Sequence, residues 1–103
     1  MRILVVDDSS TMRRIIINTL NKIGYSDYTE AANGREGCEK LAADSIDMII
    51  TDWNMPGMAG LELLKEVRND PATKKLPVLL VTAEAKREQI VEAAQAGVNG
   101  YVV

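Results

Sequence analysis

Ile3-Leu4-Val5-Val6-Asp7-Asp8-Ser9 decides the fold. Four apolar residues, three of them β-branched, make a run too short for a helix and apolar on both faces, and it ends abruptly in acids. Similar runs recur at Met48-Ile49-Ile50, Val78-Leu79-Leu80-Val81 and Tyr101-Val102-Val103, with a weaker strand expected around Tyr28 to Ala31. Strands apolar on both faces belong to a parallel sheet covered by helices on each side.

Helical patterns fill the intervals. Met12, Ile15, Ile16, Thr19, Leu20 and Ile23 recur at i, i+3, i+4, i+7 spacing and predict one inward face, with Ser9 or Ser10 as cap and Gly24 as stop. Glu36 to Ala42 predicts a second helix with Leu41 inward. Leu61, Leu64 and Val67 mark a third, stopped near Asp70-Pro71. Arg87 to Ala96 predicts a fourth, with Ile90, Val91 and Ala94 inward and Gly97 as its cap. Asn33-Gly34 could close a hairpin, but between a strand and a helix it reads as a tight turn. Right-handed crossovers and short loops then give a doubly wound α/β architecture, a parallel five-stranded sheet in the order 2-1-3-4-5.

Composition narrows the chemistry. A chain of 103 residues, 47% hydrophobic and 26% charged, suits one globular domain spanning 1–103. The net charge of −3 offers no basic stripe for nucleic acid or an anionic membrane. No secretory signal pattern opens the chain, and no segment reaches the roughly 20 apolar residues of a membrane span, so a cytoplasmic location is expected. Histidine is absent, which removes His-based triads, and the lone Cys38 can form no internal disulfide.

In open parallel sheets ligands sit at the carboxyl ends of the strands. Strand 1 ends in Asp7-Asp8, strand 3 in Thr51-Asp52 and strand 4 in Thr82-Ala83. Strands 1 and 3 are neighbours in the expected order, so three carboxylates converge. Taken singly, Asp8 would be a helix cap, Asp52 a loop acid and Thr82 an ordinary strand-end residue. Taken together, the acids repel unless a cation compensates, and Mg²⁺ suits a few carboxylates plus water and phosphate. Without histidine the credible nucleophile is a carboxylate, Asp52, whose attack on phosphorus gives an acyl phosphate. Thr82 is placed to donate its hydroxyl to a phosphoryl oxygen.

Five motifs in order carry a resemblance over the whole chain. They are Val5-Val6-Asp7-Asp8-Ser9, Asp52-Trp53-Asn54-Met55-Pro56-Gly57-Met58, Gly60-Leu61-Glu62-Leu63-Leu64, Val81-Thr82-Ala83-Glu84 and Ala96-Gly97-Val98-Asn99-Gly100-Tyr101. Together they resemble the response-regulator receivers, most closely the single-domain chemotaxis type, proteins that are themselves a standard example of the flavodoxin-like order 2-1-3-4-5. The resemblance implies that Asp52 is the phosphoacceptor. It implies that Asp8, Asp52 and the Asn54 carbonyl bind Mg²⁺ directly, with Asp7 acting through water. Thr82 and Tyr101 would form the switch pair, the Ala83 N–H would hold phosphoryl oxygens, and Asn54 and Glu84 would tune dephosphorylation. Trp53 fluorescence should sense metal.

The implied donor is a phosphohistidine on a sensor histidine kinase. The implied output partner is a flagellar motor switch peptide docking near helix 4 and strand 5, with Lys86, Arg87 and Tyr101 at its edge. Receivers also carry a lysine after strand 5 and a fifth helix, neither of which this sequence contains. A C-terminally incomplete domain that pairs with a second copy or exchanges an element is therefore one expectation. Two other classes share parts of this pattern. A Mg²⁺-dependent aspartyl phosphohydrolase would need a cap domain, and a flavodoxin-like electron carrier would need a Ser/Thr/Gly-rich phosphate loop after strand 1.

Overall fold

A computed structural model describes residues 1–53, 60–81, 95, 97 and 99–102. Strand β1 (Ile3–Val6) leads into α1 (Ser10–Lys22), followed by β2 (Tyr28–Ala31), α2 (Gly34–Ala43), β3 (Met48–Asp52), α3 (Gly60–Asn69), β4 (Val78–Val81) and β5 (Gly100–Val102). All pairings are parallel, and the order is β2-β1-β3-β4-β5, as the alternation of runs predicts. The fourth predicted helix, Arg87 to Ala96, lies almost entirely outside the described residues. No helix among the described residues is long and apolar enough to cross a membrane.

Alternation along β1 feeds two cores. Leu4 and Val6 point to one face and pack with Ile49, Leu63, Leu64, Val67 and Val78 beneath α2 and α3. Ile3 and Val5 point to the other and pack with Ile17, Leu20 and Ile50 under α1. Each fully buried aliphatic side chain contributes about 1.5–3 kcal/mol, so the central strands anchor both layers.

The buried face of α1 differs from the predicted one. Ile17 and Leu20 are buried and Ile16 is half-buried, whereas Ile15 and Ile23 are 55% and 64% exposed and Thr19 also faces solvent. Three consecutive isoleucines permit two overlapping stripes. The one chosen by the fold, 13/16/17/20, begins with an arginine, which is why apolar periodicity passes it over. Ser9 proves to be the cap, its Oγ accepting from the Met12 N–H at 3.2 Å. Gly24, at φ +99°, supplies the left-handed stop.

Asn33-Gly34 opens α2 and is not a hairpin. Asn33 Oδ1 accepts from the Glu36 N–H at 2.9 Å, while Glu36 Oε2 reaches back to the Ala32 N–H at 3.2 Å. The helix therefore starts at Gly34, earlier than the predicted Glu36. At its middle, the Cys38 thiol sits half-buried against the α2–α3 core. Burial, then the nearby Glu66 charge, pushes its pKa up, so the reactive thiolate is disfavoured.

Arg68, near the end of α3, fastens three segments with one guanidinium. Nε and Nη2 donate to the Gly97 carbonyl at 3.0 and 2.7 Å, Nη1 donates to the Leu76 carbonyl at 2.7 Å and Nη2 to Asn99 Oδ1 at 2.7 Å. Asn99 Oδ1 also accepts from the Val78 N–H at 2.9 Å, and the Asn99 N–H donates to the Val78 carbonyl at 2.9 Å. Gly97 has φ +91°, which presents its carbonyl to the arginine. The turn entering β5 is thereby tied to both α3 and β4.

Candidate functional site

Register places the acids. Val6 pairs with Thr51, so Asp7-Asp8 and Asp52 leave adjacent strands at the same end of the sheet. One carboxylate oxygen from each of Asp7, Asp8 and Asp52 lies within 4.8 Å of the others. The trio named from topology is thus assembled. Asp7 is 3% exposed, Asp8 is exposed and Asp52 lies between.

Backbone bonds fix the cluster from several sides. The Asp7 N–H continues the ladder to the Ala31 carbonyl at 3.1 Å, and Asp7 Oδ1 accepts from the Ser9 N–H at 2.9 Å. On β3, the buried Thr51 donates its hydroxyl to the Asp52 carbonyl at 3.1 Å. The Trp53 N–H donates to the Val81 carbonyl at 3.2 Å, and the Gly60 N–H donates to the Trp53 carbonyl at 2.9 Å. Trp53 itself is 7% exposed, packed on Leu80 and Leu61, so its indole is close in sequence to the acids and shielded from bulk water.

Burial is the main cause that raises the Asp7 pKa; the Ser9 N–H opposes it, and the Asp52 and Asp8 charges add to it. A buried acid facing two others fits a hard divalent cation, whose charge would relieve their mutual repulsion. Asp7, Asp8 and Asp52 are the residues that could hold it.

The sign of the Asp7 effect gives a test. Because the folded pKa lies above the ordinary 3.8, the folded chain binds this proton more tightly than the unfolded chain does. The ionised carboxylate therefore costs stability at neutral pH, and the cost disappears as pH falls through the raised folded value toward the ordinary one. Asp7→Asn keeps an oxygen for the Ser9 N–H and removes the charge. Melting in a chelator is expected to be higher for the variant at pH 7, with the advantage closing in acid; a lower neutral-pH melting point would contradict this account.

Other predicted site residues are not placed. Asn54, Thr82, Ala83, Glu84, Lys86 and Arg87 lie outside the described residues. Tyr101 is on β5, where its backbone is in register with Leu80. Conversely, Arg13 touches the site without having been predicted. Its Nη1 donates to the Asp7 carbonyl at 2.6 Å and its Nε to Glu30 Oε1 at 3.0 Å. A sequence signal existed, since Arg13 starts the buried stripe of α1.

Residues 3–103 match the family model for the response regulator receiver domain. The chain is 59% identical over 103 residues to the chemotaxis protein CheY of Pseudomonas aeruginosa, covering 100% of itself and 83% of that protein. It is 57% identical to CheY-3 of Vibrio cholerae, again over its whole length and 79% of that protein. Among solved structures, CheY4 of Vibrio cholerae superposes with a TM-score of 0.91 at 38% identity, covering 99% of this chain and 84% of that one. A response regulator of Thermotoga maritima, solved in complex with Mg²⁺-BeF, gives 0.87 at 34% identity, with 99% and 84% covered. Sheet order, acid cluster and family match agree, and the chain belongs to the response-regulator receiver family, with chemotaxis CheY proteins among its close homologues.

Proposed function

We propose that this receiver domain accepts a phosphoryl group on Asp52 from a phosphohistidine of a sensor kinase, in a Mg²⁺-dependent reaction, and that the phosphorylated form alters partner binding. The observation that carries the reading is the approach of the Asp7, Asp8 and Asp52 carboxylate oxygens to within 4.8 Å of one another at the strand ends. When bound, Mg²⁺ would neutralise charge on the phosphoryl oxygens during transfer.

The chain's own residues do the rest. A carboxylate oxygen of Asp52 attacks phosphorus in line, forming a P–O bond as the P–N bond to the donor imidazole breaks. The imidazole leaves with the electron pair and takes a proton from solvent. Asp7 and Asp8 hold the cation side of the site. Burial of Trp53 and the anchoring of Gly60 on the Trp53 carbonyl keep the backbone of the acceptor strand fixed during attack. The domain assists its own phosphorylation and the later hydrolysis without turning over an external substrate.

The finer roles follow the resemblance. Asn54 contributes its carbonyl to the metal, Thr82 and the Ala83 N–H meet the phosphoryl oxygens, and Tyr101 completes the switch. Glu84, with Asn54, sets access of hydrolytic water. The chemotaxis relatives support a flagellar motor switch peptide as output partner, with Lys86, Arg87 and Tyr101 at its docking edge.

The test is a Mg²⁺ titration followed by Trp53 fluorescence, then addition of acetyl phosphate. A saturable metal response and a further Mg²⁺-dependent change with the phosphodonor are expected. No response to metal at millimolar concentration would remove the acid site from the mechanism.

A further inference from the structure

The guanidinium of Arg13 lies behind the acid cluster and is, we infer, the positioning residue that sets its Mg²⁺ affinity and its preference for Mg²⁺ over Ca²⁺. This inference rests on the cation-site reading above and adds a residue to it. Arg13 belongs to the first turns of α1, which carry no acidic side chain of their own. The dipole alone gives a cation nothing there, so the inward guanidinium is held by its own contacts. Yet Arg13 is only 17% exposed and turns inward.

Its contacts explain the placement. Nη1 donates to the Asp7 carbonyl at 2.6 Å, while Nε pairs with Glu30 Oε1 on β2 at 3.0 Å. The Arg13 N–H meanwhile donates to the Ser9 carbonyl at 3.0 Å. The side chain therefore holds the main chain just before Asp8 and ties it to the neighbouring strand, while the bond to Ser9 is the ordinary helical one that any side chain at 13 would keep. Asp7 and Asp8 repel each other and Asp52 before any cation arrives. Without the clamp, the turn is free to relax and separate the carboxylates, and binding must then reorder it.

Arginine suits this task because its planar fork reaches two acceptors at once; lysine, a point charge, cannot span both. The role is geometric, since the guanidinium meets the Asp7 carbonyl, and its effect should depend on how strictly the ion demands order. Mg²⁺ requires near-octahedral geometry, whereas Ca²⁺ accepts irregular sites. A loosened turn should thus cost Mg²⁺ more than Ca²⁺.

Arg13→Met, Arg13→Lys and Glu30→Gln decide the matter by Trp53-detected titrations with Mg²⁺ and with Ca²⁺, beside far-UV circular dichroism and melting in chelator. Mg²⁺ binding is expected to weaken about 10-fold or more in Arg13→Met, the scale for groups supporting metal ligands. Arg13→Lys should follow it, Glu30→Gln should show a smaller loss, and the Mg²⁺/Ca²⁺ preference should fall in all three. Unchanged or tighter Mg²⁺ binding in a folded Arg13→Met, or lysine restoring it fully, would overturn the inference; so would equal weakening of both ions, which marks general destabilisation. If Arg13→Met does not fold, Arg13→Lys and Glu30→Gln carry the same comparison. A wild-type protein that ignores Mg²⁺ defeats the site reading itself, whereas a responsive wild type with indifferent variants defeats only the role of Arg13.

Discussion

Asp52→Asn is expected to abolish Mg²⁺-dependent uptake of phosphoryl groups from acetyl phosphate, with no hydroxylamine-sensitive phosphoprotein formed. The amide that replaces the carboxylate has no anionic oxygen to attack phosphorus, and the chain has no histidine to take over. Asp7 is a poor substitute because it is 3% exposed and its Oδ1 is engaged by the Ser9 N–H. Asp8 is exposed, and labelling of Asp8→Asn beside Asp52→Asn separates the two. Mg²⁺ binding should also weaken markedly, because one of the three converging carboxylates is gone. Mass spectrometry with ³²P labelling reads the first effect and Trp53 fluorescence the second. Undiminished alkali-labile, hydroxylamine-sensitive label on the variant would move the acceptor to another carboxylate.

Gly60→Ala is the second large effect, and it falls on stability. A Cβ on Gly60 would land on the Asp52 carbonyl oxygen and within 3.0 Å of Trp53 Cα, both of them backbone and unable to rotate away. Overpacking against backbone at a buried helix start should cost about 3 kcal/mol or more, a large share of a typical stability of roughly 5–15 kcal/mol. Gly37→Ala is the proper control. It too lies in a helix, but its Cβ would meet only side chains, Val6 Cγ2 at 3.3 Å and Leu63 Cδ2 at 3.5 Å. The helix propensity of alanine, worth up to about 1 kcal/mol over glycine, offsets that contact, so little net change is expected. Urea unfolding of both variants makes the comparison; equal midpoints would show that the backbone at the end of β3 can shift to admit the methyl group.

Much of this arrangement is legible from residues alone. Apolar runs at Ile3–Val6 and Val78–Val81 are short, uniform and bounded, so they identify central parallel strands. The acids follow from the rule for strand ends once β1 and β3 are neighbours, which is why Asp7, Asp8 and Asp52 could be grouped across 45 residues of sequence. Periodicity failed at α1 because Ile15-Ile16-Ile17 satisfies two faces equally, and the arginine at the head of the true face looks like solvent-facing charge. The contacts that Arg13 and Arg68 make are not legible for a related reason. Most of their partners are main-chain carbonyls, which carry no residue-type signature, and those of Arg68 lie as far away as Gly97.

The grip of Arg68 has a mechanical consequence. Helix α3 starts against the end of β3, where Gly60 rests against the backbone of Asp52, and it ends in the guanidinium that holds Gly97 and Asn99. Gly60 and Arg68 are therefore the fulcrum and the tip of a lever about 12 Å long. A tilt of about 5° at the fulcrum displaces the tip by about 1 Å over that length, enough to break the 2.7 Å bonds to Gly97 and Asn99. A small movement behind Asp52 would therefore have to carry the turn into β5 along with it or break these bonds at the opposite end of the sheet.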